Sequence, residues 1–156
     1  MNTDLRDGLN FLLSGKPIAI LGRNSSQSIP NNAGTSVGWD LETVDRDGGH
    51  STSTNNSRYT AQTAGWYRVQ GSVQWASNAT GIRDCGFLVN NAIQSQSFTG
   101  VGSSVANHGI QNDGLILLSV NDYVEFSVYQ NSGAALNVSP TSPDQRNRFI
   151  LEWVSS

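Results

Sequence analysis

The sequence predicts an all-β protein, an antiparallel two-sheet jelly-roll sandwich preceded by a short N-terminal α-helix. Three observations support this prediction: segments that alternate apolar and polar residues, turn residues between those segments, and few charges. Charged residues make up 13% of the 156-residue chain, and 16 glycines with many Ser, Thr, Asn and Gln residues separate the short apolar runs. About eight to ten short strands at uneven spacing favour a sandwich; an up-and-down barrel is the alternative, which suits such unequal loops less well.

The clearest strand covers residues 65–75. From Tyr67 to Trp75 the odd positions are apolar or glycine and the even positions are polar, and successive side chains of a strand point to opposite faces. The same alternation predicts strands at residues 37–41, 123–129 and 149–153, and another strand is expected at 92–98. The core predicted from these patterns comprises Trp39, Tyr67, Val69, Val73, Trp75, Val124, Phe126, Val128, Phe149, Leu151 and Trp153.

Two further segments lack this alternation. Residues 115–118 are four consecutive aliphatic residues, a run typical of a strand that is buried on both faces. Residues 99–104 are rich in Gly and Ser and are predicted to form a loop.

The first residues predict an amphipathic helix at residues 3–14. Thr3 can cap it, its leucines recur at helical spacing, and Gly15 and Pro17 end it. The apolar stripe consists of Leu5, Leu9, Phe11, Leu12 and Leu13. A helix this short is marginal alone, so the stripe needs a partner surface. We predict that residues 1–16 anchor the chain to another protein, that 17–34 are a linker with a short strand, and that 35–156 form the jelly roll. The alternative is that the helix folds back on its own β domain.

Charge and hydropathy exclude several classes of partner. The chain has nine Lys and Arg residues and twelve Asp and Glu residues, so no basic surface for nucleic acid is expected. No apolar run approaches the roughly 20 residues that span a bilayer, so no membrane partner is predicted. The first residues also lack the basic and apolar regions of a secretory signal, so that route is not expected. Cys85 is the only cysteine and is interpreted as a small buried residue.

No catalytic constellation is present. Ser, His and Asp residues occur without a nucleophile elbow or a paired-carboxylate motif, and no Gly-rich phosphate loop joins a strand to a helix. Asp45, Asp47 and His50 are close in sequence, but Ca²⁺ requires six or more oxygen ligands, so a solvated Asp/Gly turn is the preferred interpretation. No enzyme activity, cofactor or metal site is therefore predicted.

The order of motifs resembles a known superfamily. Gly65-Trp66-Tyr67, the run 115–118, the turn Asn121-Asp122 and the aromatic strand 149–153 together resemble the jelly roll of the tumour necrosis factor and complement first-component globular-head superfamily, over roughly residues 35–155. Asn121 stands where that superfamily usually has Gly; because Asn tolerates positive φ, the turn is expected to persist.

The resemblance implies a compact homotrimer, with aromatic side chains on the outer face of one sheet buried at the three-fold axis. Tyr123 and Tyr129 share a polar face of one strand, and Trp66 also breaks the alternation, so these three are assigned to the trimer interface. The alternative is that they are ordinary exposed aromatics, which are common on protein surfaces.

A second resemblance concerns residues 2–13. They are similar to an Asn-x-x-aliphatic-Arg-Asp-x-x-Asn-aromatic-Leu segment found in virion proteins of phages that infect actinobacteria. Together the two resemblances imply a structural phage protein, a trimeric decoration or fibre head on the virion surface, assembled in the host cytoplasm and held by a capsid or tail protein. Two alternatives stay open: a tail-tip module that binds a host-surface glycan or protein, and a secreted complement-like binding domain.

Overall fold

The computed structural model describes residues 3–94, 99–104, 108–139 and 147–156 of the chain. Helix α1 spans Thr3–Asn10 and continues as a π-helical segment, Phe11–Gly15. The strands in these residues are β1 Ile18–Gly22, β2 Gln27–Ile29, β3 Thr35–Ser36, β4 Leu41–Asp45, β5 Arg58–Thr60, β6 Gly65–Trp75, β7 Asn78–Val89, β8 Ala92–Ile93, β9 Thr99–Ser104, β10 His108–Leu118, β11 Tyr123–Gln130, β12 Leu136–Val138 and β13 Arg148–Ser155. No helix in this part of the chain is both long and apolar enough to cross a membrane.

The strands form two antiparallel sheets that pack face to face. Across the described residues, one sheet has seven strands in the order β2-β12-β6-β13-β1-β4, with β10 paired along the other side of β6. The second has six, in the order β3-β11-β7-β8, with β5 beside β11 and β9 beside β7. This arrangement confirms the two-sheet sandwich and rejects the barrel. Asn121 has φ +71°, so the predicted turn between β10 and β11 forms without glycine.

The core lies between the sheets and is aromatic. Phe149 of β13 stacks on Phe87 of β7 at 6.3 Å between ring centroids and lies 6.5 Å from Phe126 of β11, so the two sheets meet through these rings. A Cβ on Gly71 of β6 would overlap the ring of Phe126, so only glycine allows this close approach. All residues of the predicted core are buried: Trp39, Tyr67, Val69, Val73, Trp75, Val124, Phe126, Val128, Phe149, Leu151 and Trp153.

The alternation at residues 37–41 does not belong to one strand, contrary to the prediction. β3 ends at Ser36 in the six-stranded sheet, and β4 begins at Leu41 in the seven-stranded sheet. The intervening residues cross between the sheets, and Trp39 fills the crossing by stacking on Phe149 with ring centroids 5.6 Å apart. A buried crossing segment shows the same apolar positions as a strand, which explains the error.

The interval 17–34, predicted as a linker around one short strand, contributes two strands to the sandwich. β1 lies between β13 and β4 in the seven-stranded sheet, and β2 pairs with β12 in the same sheet. Arg23 and Asp40 hold the polar segment between β1 and β2, since Arg23 donates to the Gly38 carbonyl and Asp40 accepts the N–H of Asn24 at 2.7 Å. The sandwich therefore begins near residue 17 rather than 35.

Two loop and strand predictions change in the second sheet. Residues 99–104, expected as a loop, form β9 and pair with β7, because backbone hydrogen bonds do not require apolar side chains. Of the strand predicted at 92–98, β8 covers Ala92–Ile93, and residues 95–98 lie outside the described residues.

Candidate functional site

An apolar surface lies on the outer side of the seven-stranded sheet. It consists of Trp66 on β6, Leu115 and Leu117 on β10, and Val154 on β13, and we refer to these four residues as the apolar face. Their exposed fractions are 39%, 55%, 59% and 42%. Leu117 lies directly opposite Trp66 in the ladder, and Ser155 lies opposite Trp66 on the other side. Neighbouring large apolar side chains on three adjacent strands typically mark an interaction surface.

Strand alternation explains why this face exists. Ile116 and Leu118 point inward and are buried, whereas Leu115 and Leu117 point outward to solvent. The prediction that this run is buried on both sides is therefore wrong for the isolated chain. The second sheet covers only the inner face of this apolar run. The outer face of the run is therefore left as an uncovered apolar surface.

The part of this side of the sheet that adjoins the apolar face is polar. Arg68 lies opposite Leu115 on one side and opposite Glu152 on the other, and Gln70 lies opposite Asp113. Charged and amide side chains therefore border the apolar face along the same strands. An apolar centre with a polar rim is the usual composition of protein interfaces.

Tyr123 and Tyr129 lie on the other sheet, on the outer side of β11. The guanidinium of Arg58 lies over the Tyr123 ring, 4.0 Å from its centroid, and the Tyr129 hydroxyl donates to Asn32 Oδ1 at 3.1 Å. Both rings are half-buried by their own chain. The structure thus separates these tyrosines from Trp66, and one flat contact surface cannot contain all three.

The leucines predicted as the anchor stripe are exposed. Leu5, Leu9, Leu12 and Leu13 have 47–74% of their surface accessible. Phe11, the fifth predicted member, instead packs edge-on against Trp153 with ring centroids 5.1 Å apart. Phe11 therefore covers one end of the core, and the four leucines alone form what we refer to as the leucine stripe.

The acidic turn at residues 45–50 is engaged in internal hydrogen bonds. Asp45 accepts the N–H groups of Gly49 and His50 at 3.1 and 3.0 Å, and the Tyr59 hydroxyl donates to Asp47 at 2.7 Å. Burial raises the pKa of Asp47, with the Tyr59 hydrogen bond opposing the shift, and burial likewise raises the pKa of Tyr59. No group of three or more His, Cys, Asp or Glu side chains suited to a metal occurs among the described residues.

Cys85 is buried on the inner face of β7. Burial, together with the charge of Asp84, raises the pKa of its thiol to about 12. Since the thiolate is the reactive form, burial and the raised pKa lower the reactivity of this thiol.

Sequence reasoning missed a polar cluster at the start of β5. Glu125 of β11 is buried and accepts hydrogen bonds from the Ser57 hydroxyl at 2.5 Å and from Arg58 Nε at 3.4 Å. The only sequence signal for it is an acidic residue at an alternating position between Tyr123 and Tyr129. Pairing with Arg58 depends on β5 lying beside β11, which the sequence does not reveal.

Comparison with known proteins shows which solved structures share this fold. No protein-family model and no curated protein sequence matches the chain. Among solved structures, it is similar to murine APRIL in a crystal structure at pH 5.0, with a TM-score of 0.64 and 13% identity over 89% of this chain and 99% of that chain. It is also similar to the globular domain of zebrafish complement 1qA protein, with a TM-score of 0.56 and 12% identity over 90% of this chain and 97% of that chain.

These similarities define the class of protein by its fold. The chain is a jelly roll of the type found in the tumour necrosis factor family and in the complement globular head, as the order of sequence motifs predicted. Identities of 12–13% support the fold and nothing finer.

Proposed function

We propose that the chain is a non-enzymatic structural protein that assembles as a homotrimer through the apolar face. The observation that supports this best is the exposed group of Trp66, Leu115, Leu117 and Val154 on one sheet of a tumour-necrosis-factor-like jelly roll. A second copy of the same chain is a fitting occupant, because the resemblance to this superfamily implies trimers whose sheets bury outer-face aromatics. Trp66 is the aromatic in that position.

The trimer would be attached to a phage particle by its N-terminal segment. This part of the proposal is supported by the similarity of residues 2–13 to segments of phage virion proteins and by the exposure of the leucine stripe. Four leucines on one short helix leave an apolar surface that a capsid or tail protein would cover. The head would then lie on the virion surface.

Light scattering tests the trimer directly. Three copies of the 16.7 kDa chain give a particle of about 50 kDa, and the full chain is expected at that mass over a wide concentration range. A mass of one chain at micromolar concentration would overturn the proposal.

The anchor needs a variant that leaves the fold intact. Replacing Leu5, Leu9 and Leu13 with Gln removes most of the leucine stripe while Phe11 stays on Trp153. We expect this variant to keep its trimer mass and to be lost from purified particles, measured by mass spectrometry of the virion. The matched control is Ile93→Gln, an exposed apolar residue on β8, which should be incorporated normally. Normal incorporation of the triple variant would contradict the anchor.

A receptor-binding role is the second candidate, in which the same trimer touches a host-surface glycan or protein. The polar loops at residues 45–57 favour it, since binding residues commonly lie on loops held by a rigid sandwich.

A further inference from the structure

A polar cleft opens at the edge of the six-stranded sheet. It lies between the loop of residues 48–55, strand β5 with Gln62, and Tyr123 at the start of β11, and it has a volume of about 340 Å³. We refer to it as the β5 cleft. Hydroxyl, amide and backbone groups line most of it, with one guanidinium from Arg58. Its volume lies within the range of small-molecule sites.

Arg58 is held in one orientation by two residues of β11. Its guanidinium lies 4.0 Å from the centroid of the Tyr123 ring, and its Nε donates to Glu125 Oε1 at 3.4 Å. No intramolecular hydrogen bond engages Nη1 or Nη2 within the described residues, and about a third of the side chain, 32%, is exposed. A donor pair already fixed in position loses little conformational entropy when a ligand binds to it.

The opposite wall is also held in place. The His50 side chain is buried, with Nδ1 2.7 Å from Glu42 Oε1 and Nε2 3.1 Å from the Asn56 carbonyl oxygen. A Cβ on Gly49 would overlap the Tyr59 ring, so the loop lies directly against β5. The β5 cleft is therefore formed before any ligand arrives.

We propose that the β5 cleft binds one sugar unit of a glycan, with the two terminal nitrogens of Arg58 contacting two adjacent sugar oxygens. Hydroxyl and amide groups provide both donors and acceptors, as a polyhydroxylated ring requires. The Tyr123 ring is already covered by Arg58, so the cleft offers little surface to an apolar ligand.

The negative charge around the β5 cleft narrows the class of ligand that it can bind. The carboxylates of Glu42, Asp45 and Glu125 form hydrogen bonds with residues that line the cleft. The chain as a whole has a net charge of −3. A multiply charged phosphate would be repelled, whereas two vicinal hydroxyls or a single carboxylate match the guanidinium fork. This site is independent of the trimer and of the anchor, because none of its residues belongs to the apolar face or the leucine stripe.

The full chain, labelled with ¹⁵N, would be titrated with glucose, galactose, glucuronic acid, N-acetylneuraminic acid and inorganic phosphate while backbone amide shifts are followed. We expect at least one sugar to give saturable shifts in residues 48–62 and 121–123. Saturation by the neutral sugars identifies vicinal hydroxyls as the recognised group, and saturation by the acidic sugars alone identifies the carboxylate.

Two variants locate the site. Arg58→Lys keeps the positive charge beside Glu125 but removes the two terminal guanidinium nitrogens. Gln62→Ala removes an amide side chain from the wall of the β5 cleft. Each variant should weaken sugar binding at least tenfold while leaving the amide shifts of residues outside the cleft unchanged. Tyr129→Phe, on the same sheet but outside the cleft, is the matched control and should bind like the original chain. Absence of saturable shifts with all four sugars, unchanged affinity in both variants, or equal binding of phosphate would each overturn the proposal.

Discussion

The large outward-facing side chains of the two sheets differ in how much of their surface their own chain covers. On the seven-stranded sheet, Trp66, Leu115 and Leu117 keep 39%, 55% and 59% of their surface exposed. On the six-stranded sheet, Tyr123 and Tyr129 are half-buried, one under a guanidinium and the other hydrogen-bonded to an amide. The two tyrosines therefore have partners within their own chain, whereas we propose that another copy of the chain covers the apolar face.

This contrast shows what an outward-facing aromatic indicates. Tyrosine carries a polar hydroxyl and a ring face that attracts cations, so its own chain can satisfy it at the surface. Leucine has no such group, so an exposed leucine side chain is stabilised only when other apolar groups cover it. Exposed aliphatic residues around a Trp are therefore the better marker of an assembly surface in this fold.

The largest expected effect comes from placing a charge in the apolar face. In the proposed trimer, Leu117→Asp would remove a buried leucine from each of three interfaces, at about 1.5–3 kcal/mol per copy, and would add a charge that loses its hydration. We expect the trimer to dissociate to monomers at micromolar concentration, measured by sedimentation equilibrium.

The matched control is Tyr129→Asp on the opposite sheet. It should retain the trimer mass, because Tyr129 lies away from the apolar face. Dissociation by Tyr129→Asp with an intact Leu117→Asp trimer would reverse the assignment of the two sheets.

A change in the buried acid of the six-stranded sheet should affect folding and leave assembly intact. Glu125→Gln leaves the Ser57 hydroxyl and Arg58 Nε facing an uncharged amide. Because Arg58 is partly exposed, we discount its ion pair and expect a loss of about 1–2 kcal/mol in the free energy of unfolding, measured with urea. Light scattering should still give the trimer mass; a change in mass would mean that this side also takes part in assembly.

A smaller effect is expected at the tyrosine hydroxyl. Tyr129→Phe removes the hydrogen bond to Asn32 and keeps the ring, so the free energy of unfolding should fall by about 0.5–1 kcal/mol. Asn32→Gly, which tolerates the φ of +57° at this position, should produce a similar loss, and the double variant should lose little more than either alone. Fully additive losses would show that the hydroxyl and the amide do not interact.

The sequence predicted the fold because its signal is local. Alternation in β6, β11 and β13 places Tyr67, Phe126 and Phe149 on inward positions, and all three are buried. The crossing at residues 37–40 could not be separated from a strand, since Trp39 is buried for a tertiary reason, its stacking on Phe149.

The candidate sites were less accessible to sequence reasoning, because they depend on strand neighbours. Leu117 lies beside Trp66 only because β10 pairs with β6, and Arg58 reaches Tyr123 only because β5 pairs with β11. Neither pairing has a signature in one sequence. The sequence singles out the outward aromatics Trp66, Tyr123 and Tyr129, and their assignment to a trimer interface stays a prediction.

The smallest predicted effect concerns the turn that joins the two sheets between β10 and β11. Asp122 accepts a hydrogen bond from the Asn90 amide at 2.7 Å and another from the N–H of Ser119 at 2.7 Å. These bonds lower the pKa of Asp122 below its usual value of 3.8. A carboxylate with a lowered folded-state pKa stabilises the fold fully above its unfolded value, and that contribution disappears as the pH falls through the lowered one.

Between pH 5 and about pH 2, the original chain should therefore lose more stability than Asp122→Asn, with both variants compared by urea unfolding at the same protein concentration. Asn90→Ala removes the strongest donor to the same carboxylate and should flatten the same part of the profile. Because the turn belongs to neither outer side, both variants should keep the trimer mass at neutral pH. Identical acid profiles for all three chains would show that the turn carboxylate does not contribute to the acid sensitivity of the fold.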